Sequence, residues 1–450
     1  MDKTLDRKLA AIHANPNSRE FILADAKDAD MAFGIGAPGQ SPEAHSSELR
    51  FRTLEEYRDQ IRAISRQGLV DIMLMSASTN YALTIQEKIF ANSHVTPAVR
   101  ANDTTDVHLA RGSTYASEAS RPFRTASVDH AQCGHLDCSP DERSIGANLG
   151  LHSVTFNNDL SHDVATLEHF HKFREEAERK GFRYFLEVFD PNLPNVIAPE
   201  KLPGFINDQI ARMLAGVAPA GRPLFLKMVY HGPRAMEELF RYDPRLVIGI
   251  LGGSAGTTLD AFQLLHDARK YGAKVALFGR KINNAENQLA FVQFLRLIVD
   301  DVIGPVEAVK AYHAVLTRLG VRPHRSLEND LRLESGSMSY GGTSTSVAIP
   351  STVSAKPEGC GCSSTTKPVE SKNDNHKCEC HSDAQGTEAV IARARVTTSA
   401  GNRPNAGLTS SALKVAVRYP TDSNGFPDFA RMTSGERLAY HRDRLGLARL

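Results

Sequence analysis

The chain has 450 residues, 41% of them hydrophobic, and a formal net charge of +1. That balance argues against nucleic-acid binding by bulk electrostatics, and no apolar run approaches the roughly 18 residues of a membrane span. Six cysteines are too few for a disulfide framework in a chain of this length, so the expectation is a cytoplasmic protein without a signal peptide.

Residues 1–20 predict a short helix on Leu5, Leu9 and Ile12, leading through Asn15-Pro16-Asn17 into a first strand, Phe21 to Ala24. The strand runs into Asp25-Ala26-Lys27-Asp28-Ala29-Asp30. Charges directly after an apolar strand fit the carboxyl-terminal rim of a parallel sheet, where ligands bind. Thr53-Leu54-Glu55-Glu56 has capping-box spacing and opens a helix with Leu54, Tyr57, Ile61 and Ile64 on one face. Strand two is Val70 to Met75, a helix is expected over 80–90, and strand three is Val95 to Val99, ending in Arg100, Asn102 and Asp103.

The pattern then breaks over about 102–148, an insertion rich in Ser, Thr, Asp, His and Arg and placed as a lid would be. Its His130, Cys133, His135 and Cys138 are ligand types that suit zinc, but their spacing matches no strong signature and a hydrogen-bonded loop is expected. Strand four, Ser153 to Phe156, ends in Asn157-Asn158-Asp159, and the next helix carries Val164, Leu167, Phe170 and Phe173 on its apolar face. Strand five, Tyr184 to Val188, contains Glu187, and strand six, Leu224 to Tyr230, contains Lys227. Strand seven, Leu246 to Leu251, ends in Gly252-Gly253-Ser254, and strand eight, Lys274 to Phe278, ends in Gly279-Arg280.

Eight strands alternating with helices predict an α/β fold, a TIM (β/α)8 barrel over 1–333. Residues 334–425 read as a low-complexity, largely disordered linker, with Cys360, Cys362, Cys378 and Cys380 as a candidate soft-metal cluster. Residues 426–450 predict a docking helix opened by Thr433-Ser434-Gly435-Glu436.

Side chains alternate along a strand, so Phe225 and Lys227 share one face, as do Phe185 and Glu187. If both faces point into the barrel, Lys227 and Glu187 are neighbours. A buried lysine is costly as a cation and is therefore paired, neutral or reactive. Only the neutral amine attacks a carbonyl, and an adjacent carboxylate can hold the charge or shuttle the proton. Gly252, Gly253 and Ser254, with Gly279 and Arg280, mark the ends of the last two strands, the frequent phosphate site of this fold. Asn157, Asp159 and Arg100 are candidate contacts for substrate hydroxyls, with Lys27 and Asp28 beside them on the first rim loop.

The runs Phe185-Leu186-Glu187-Val188 and Leu226-Lys227-Met228-Val229, the pair Gly252-Gly253, then Gly272-Ala273-Lys274 and Gly279-Arg280, resemble class I aldolases of the deoxyribose-phosphate-aldolase-like superfamily. The tagatose-bisphosphate aldolase group is the nearest. The resemblance covers roughly 20–300 and implies an imine-forming Lys227, a partner carboxylate at Glu187, an acid at Asp25, and phosphate binding by Gly252, Gly253, Gly279 and Arg280. Leu251, Ser153 and Phe189 stand where such enzymes commonly carry serine, lysine and, in the archaeal-type enzymes, tyrosine. The expectation is a metal-independent lyase acting on a phosphorylated keto compound, with no cofactor in the barrel and a homo-oligomeric state. Two other classes stay open: a non-catalytic barrel that binds a phosphorylated ligand, and a metal-dependent lyase or hydrolase using Asp25, Asp28, Asp159 or the His/Cys insertion.

Overall fold

The structure is a computed structural model that describes residues 2–39, 51–253 and 256–335, with Pro420, Asp428, 431–433, Glu436 and Tyr440. Ser254, Cys360, Cys362, Cys378 and Cys380 lie outside the described residues, as does most of the expected linker and docking helix. Of that helix, the reciprocal hydrogen bonds of a capping box between Thr433 and Glu436 are present.

Eight parallel strands close on themselves: β1 (Ile22–Lys27), β2 (Ile72–Met75), β3 (Thr96–Arg100), β4 (Leu149–Thr155), β5 (Arg183–Phe189), β6 (Leu226–Met228), β7 (Gly249–Leu251) and β8 (Val275–Phe278). Each pairs with its chain-order neighbours, and β8 returns to β1 through Ile22↔Val275 and Ala24↔Leu277. This is a TIM barrel. Among the described residues, no helix is long and apolar enough to cross a membrane.

Among the described residues, two apolar clusters form the core. The inner one holds Ile22, Ala24, Ala26, Leu74, Leu151, Phe185, Phe225 and Leu277, and the helix Thr4–Ala14 joins it through Leu5, Leu9 and Ile12. The amphipathic stripe read from the sequence thus plugs the amino-terminal end of the barrel. Lys8 and Arg296 lock that end by sharing the Asp71 carboxylate, at 2.9 and 2.7 Å. The outer cluster packs the other strand faces, such as Leu23, Met73, Leu186 and Phe278, against the helices.

Local signals explain most element ends. Thr53 and Glu56 form the expected capping box, and Gly68 ends that helix in the left-handed region at φ 69. The helix expected over 80–90 instead comprises Ala77–Asn80 and a wider π turn, Tyr81–Gln86. It stops short because Lys88 takes a positive φ of 55. Strand β4 begins four residues before the expected Ser153, because it is buried on both faces and lacks the polar alternation that would reveal it.

That double burial strands one histidine. His152 points outward from β4, stacks on Phe173 at 4.3 Å, and has no hydrogen-bond partner on either ring nitrogen. Burial holds its pKa well below the usual 6.5, reinforced by Arg124 and other nearby positive groups. The unfolded chain therefore takes up this proton below its ordinary pKa while the folded chain does not, so stability falls as pH drops below 6.5. The expected slope is up to about 1.4 kcal/mol per pH unit, and His152→Phe should remove it. Urea midpoints of the two proteins between about pH 7 and about pH 5 measure the difference; parallel acid limbs would contradict it.

Candidate active site

The ladder places Ser153, Glu187 and Lys227 side by side: Ser153↔Glu187 across β4 and β5, Glu187↔Lys227 across β5 and β6. All three share the inward face, one step above the stacked rings of Phe185 and Phe225, whose centroids are 4.6 Å apart. Those rings form a dry floor below the charged groups.

Lys227 Nζ lies 2.5 Å from Glu187 Oε1, and both residues are buried, at 7% and 1% exposed. The other carboxylate oxygen of Glu187 accepts from the Ser153 hydroxyl at 2.7 Å and lies 3.7 Å from Arg100. Arg100 in turn donates to Asp28 at 2.8 Å and Asp103 at 2.9 Å. Burial alone would lower the Arg100 pKa, but the carboxylates of Asp28, Asp103 and Glu187 outweigh it and push it far up, so this cation is permanent. Glu187 is thus held from three sides, which fixes its geometry toward Lys227.

These groups open into a cleft of about 640 Å3, open to solvent. Asp28, Arg100, Glu187, Lys227 and Arg280 supply its charge, while Phe33, Val107, Phe189 and Leu251 supply apolar wall. Val107 comes from the insertion, whose short ribbon pairs Asp103–Thr104 with Pro122–Phe123. Arg280 is the cleft's second guanidinium. Its Nη1 is buried without a hydrogen-bond partner, and burial depresses its pKa against the pull of Glu187. A desolvated guanidinium with an unspent donor is suited to an anion.

Several expected site residues are elsewhere. Asp25 and Lys27 are not in the cleft: they share the outward face of β1 with Leu23, between the barrel wall and the helices. Lys27 is fully buried, donates to Asn283 at 2.8 Å and Gln288 at 3.0 Å, and lies 3.4 Å from Asp25. The assignment of Asp25 to catalysis and of Lys27 to substrate binding is therefore corrected; the inward residues at this rim are Ala26 and Asp28. Asn157 is spent on the insertion, accepting from Ser120 N and donating to Ser120 O, both at 3.0 Å. Asp159 caps the helix Leu160–Arg179, with its side chain 49% exposed. Hydrogen bonding to His162 holds its carboxyl far below the usual range. Neither lines the cleft.

The glycines are more mixed than their sequence suggests. The N–H of Gly252 is already donated to Leu277 O at 2.8 Å, so it offers nothing to a phosphate. A Cβ there would meet the Phe278 ring at 2.2 Å, so packing alone demands glycine. Gly253, at φ 58, and Gly279, whose Cβ would strike Ala26 O at 2.7 Å, remain on the cleft wall with Arg280.

Beyond the strand ends lies a pair that the sequence reading passed over. His231 Nε2 is 3.0 Å from Asp190 Oδ2, both side chains are buried, and the remaining nitrogen of His231 has no partner. The signal was present, since Asp190 follows β5 and His231 follows β6 within three residues of each strand end. Neither is among the residues lining the cleft.

The fold and cleft define an (β/α)8 barrel with a lysine–carboxylate pair at its carboxyl-terminal mouth. No protein-family model matches the chain, and no curated protein matches it in sequence. Among solved structures it is similar to an archaeal fructose 1,6-bisphosphate aldolase, at 15% identity over 66% of this chain and 99% of that one, with a TM-score of 0.45. It is also similar to a fructose-bisphosphate aldolase from Slackia heliotrinireducens DSM 20476, at 15% identity over 69% and 91%, with a TM-score of 0.48. An orotidine 5'-phosphate decarboxylase from Pyrococcus horikoshii OT3 matches at 12% identity over 62% and 99%, with a TM-score of 0.33. Likenesses this distant do not choose a reaction. The site has to.

Proposed function

We propose that this barrel is a class I, imine-forming aldolase acting on a small carbonyl compound that carries a phosphate or similar anion. One observation carries the reading: Lys227 lies against Glu187 on the inner wall of a cleft whose other side presents the unspent guanidinium of Arg280. Glu187 takes a proton from Lys227, and the freed amine adds to the substrate carbonyl carbon. The protonated Glu187 returns its proton to the departing hydroxyl, water leaves, and a protonated imine remains. That imine draws in the electron pair of the Cα–Cβ bond as a base removes the proton of the Cβ hydroxyl. An aldehyde departs, and the enamine is reprotonated and hydrolysed, freeing Lys227. Arg280 and the Gly253 and Gly279 backbone hold the anion.

Leu251 and Phe189 on the wall favour a substrate with fewer polar groups than a sugar bisphosphate. The β5 to β8 motifs resemble those of the tagatose-bisphosphate group within the class I enzymes. A non-catalytic phospholigand barrel would use the same Arg280 but leave Lys227 as a mere ion-pair partner.

Borohydride reduction with a panel of ketose and aldehyde phosphates tests the reading. A covalent mass addition mapped to Lys227 is expected, and no adduct with any of them would defeat the imine. Arg280→Met should raise KM for a phosphorylated substrate by roughly 10- to 100-fold, the loss of one charged hydrogen-bonding partner. Cleavage of an unphosphorylated analogue should change little. Equal losses on both substrates would move Arg280 out of anion binding.

A further inference from the structure

Away from the cleft, the insertion between β3 and β4 brings two thiols and a carboxylate together. Cys133 Sγ, Cys138 Sγ and a carboxylate oxygen of Glu142 lie within 4.8 Å of one another. We infer that Cys133, Cys138 and Glu142, with His135 as the fourth ligand, form a structural site for a zinc-like soft divalent cation that staples this insertion.

The donor set matches the ion: two sulfurs, an imidazole nitrogen and a carboxylate oxygen are what tetrahedral zinc takes. His135 Nε2 is 3.3 Å from Glu142 Oε1. That is about the edge of a tetrahedron whose metal bonds are roughly 2.0 Å long. The imidazole lies outside the 4.8 Å group of the other three and is largely exposed, so it swings in to complete the set. Neighbours that are not themselves ligands hold Glu142 and His135 close to that arrangement. Ser139 donates its N–H and hydroxyl to Glu142 Oε2, at 2.9 and 2.8 Å. His135 Nδ1 is 2.8 Å from Leu136 O, which turns Nε2 toward Glu142. Asp129 accepts the Asp137 N–H at 3.1 Å and pairs with Lys180 at 2.5 Å, tying the loop to the barrel.

The loop also needs such a staple. From Gly134 to Gly146 the one buried residue is Cys138, and Leu136 and Ile145 face solvent at 62% and 46% exposed. Gly134 and Asp137 both hold positive φ, at 88 and 57, to make the tight turn that returns Cys138 to Cys133. A segment with so little apolar burial has only its few hydrogen bonds to offset its ordering entropy, and metal binding supplies such free energy in small loops. Binding converts the two thiols to thiolates and releases their protons to solvent.

The test uses the full chain with Cys360, Cys362, Cys378 and Cys380 changed to serine, so that only Cys133 and Cys138 remain as thiols. Purified without chelator and dialysed, this protein should retain about one zinc per chain by elemental analysis. Cobalt exchanged into it should show thiolate-to-metal charge-transfer absorption. Adding Cys133→Ser and Cys138→Ser should remove both signals, while Glu142→Gln, which keeps the fold's thiols intact, should weaken retention against a chelator by roughly 10- to 100-fold. A metal-free parent, metal that persists without the two cysteines, or a parent lighter by two hydrogens through a Cys133–Cys138 disulfide would each overturn the inference.

Discussion

Replacing Lys227 with methionine should lower kcat for C–C cleavage by on the order of 10^4-fold or more, with borohydride labelling abolished. The fold should survive, because Glu187 keeps the Ser153 hydroxyl at 2.7 Å and Arg100 at 3.7 Å when its ammonium partner is lost. Lys227→Arg is the sharper variant. A guanidinium preserves the charge facing Glu187 but cannot be deprotonated to form an imine. If the lysine is the nucleophile, the arginine variant is as inactive as the methionine one. If arginine restores activity, Lys227 is an ion-pair partner and the metal-dependent reading regains ground. Pre-steady-state turnover, compared with equilibrium binding of the same substrate, separates loss of chemistry from loss of affinity.

The second large effect falls on stability and concerns the other strand lysine. Lys27→Met should destabilise the barrel by about 3–5 kcal/mol, the cost of leaving a buried ionisable partner uncompensated. Burial pushes the Asp25 carboxyl up to about 6 even with Lys27 beside it, and burial pushes the Lys27 amine down, so the pair is already drawn toward neutrality. The loss therefore falls toward the lower end of that range. Adding Asp25→Leu should recover part of it, since the stranded carboxyl disappears while Asn283 and Gln288 still lack their donor. Chemical denaturation midpoints give the stability, and kcat of the folded fraction gives the control. A variant at Asp25 that keeps the midpoint but loses kcat would return Asp25 to the chemistry.

These two lysines show where reading the sequence succeeds and where it stops. Lys227 sits inside a short apolar strand and Lys27 ends one, and alternation says which neighbours share a face with each. It correctly grouped Phe225 with Lys227 and Phe185 with Glu187, and strand adjacency then made the pair. The same rule puts Asp25 and Lys27 on one face once β1 is known to run to Lys27, but it does not say that this face points outward. In a closed parallel barrel both faces of each strand are buried, one by the interior and one by the helices. Polarity then no longer marks inside from outside, and a shift of one residue reverses every assignment.

Legible in the residues alone were the eight barrel strands and the closure they imply, the capping boxes at Thr53 and Thr433, the amphipathic helix on Leu5, Leu9 and Ile12, and the adjacency of Glu187 and Lys227 once their faces turn inward. These are local or nearest-strand properties, written in periods of two and 3.6 residues. Tertiary packing sorts the nominated rim residues: Arg100 and Asp28 line the cleft, Asn157 and Asp159 serve the insertion and a helix cap, and the Gly252 N–H is consumed by Leu277. Each of those depends on which hydrogen-bond partners distant segments leave unsatisfied. Donors and acceptors are shared out across the whole barrel, and no window of sequence carries that allocation.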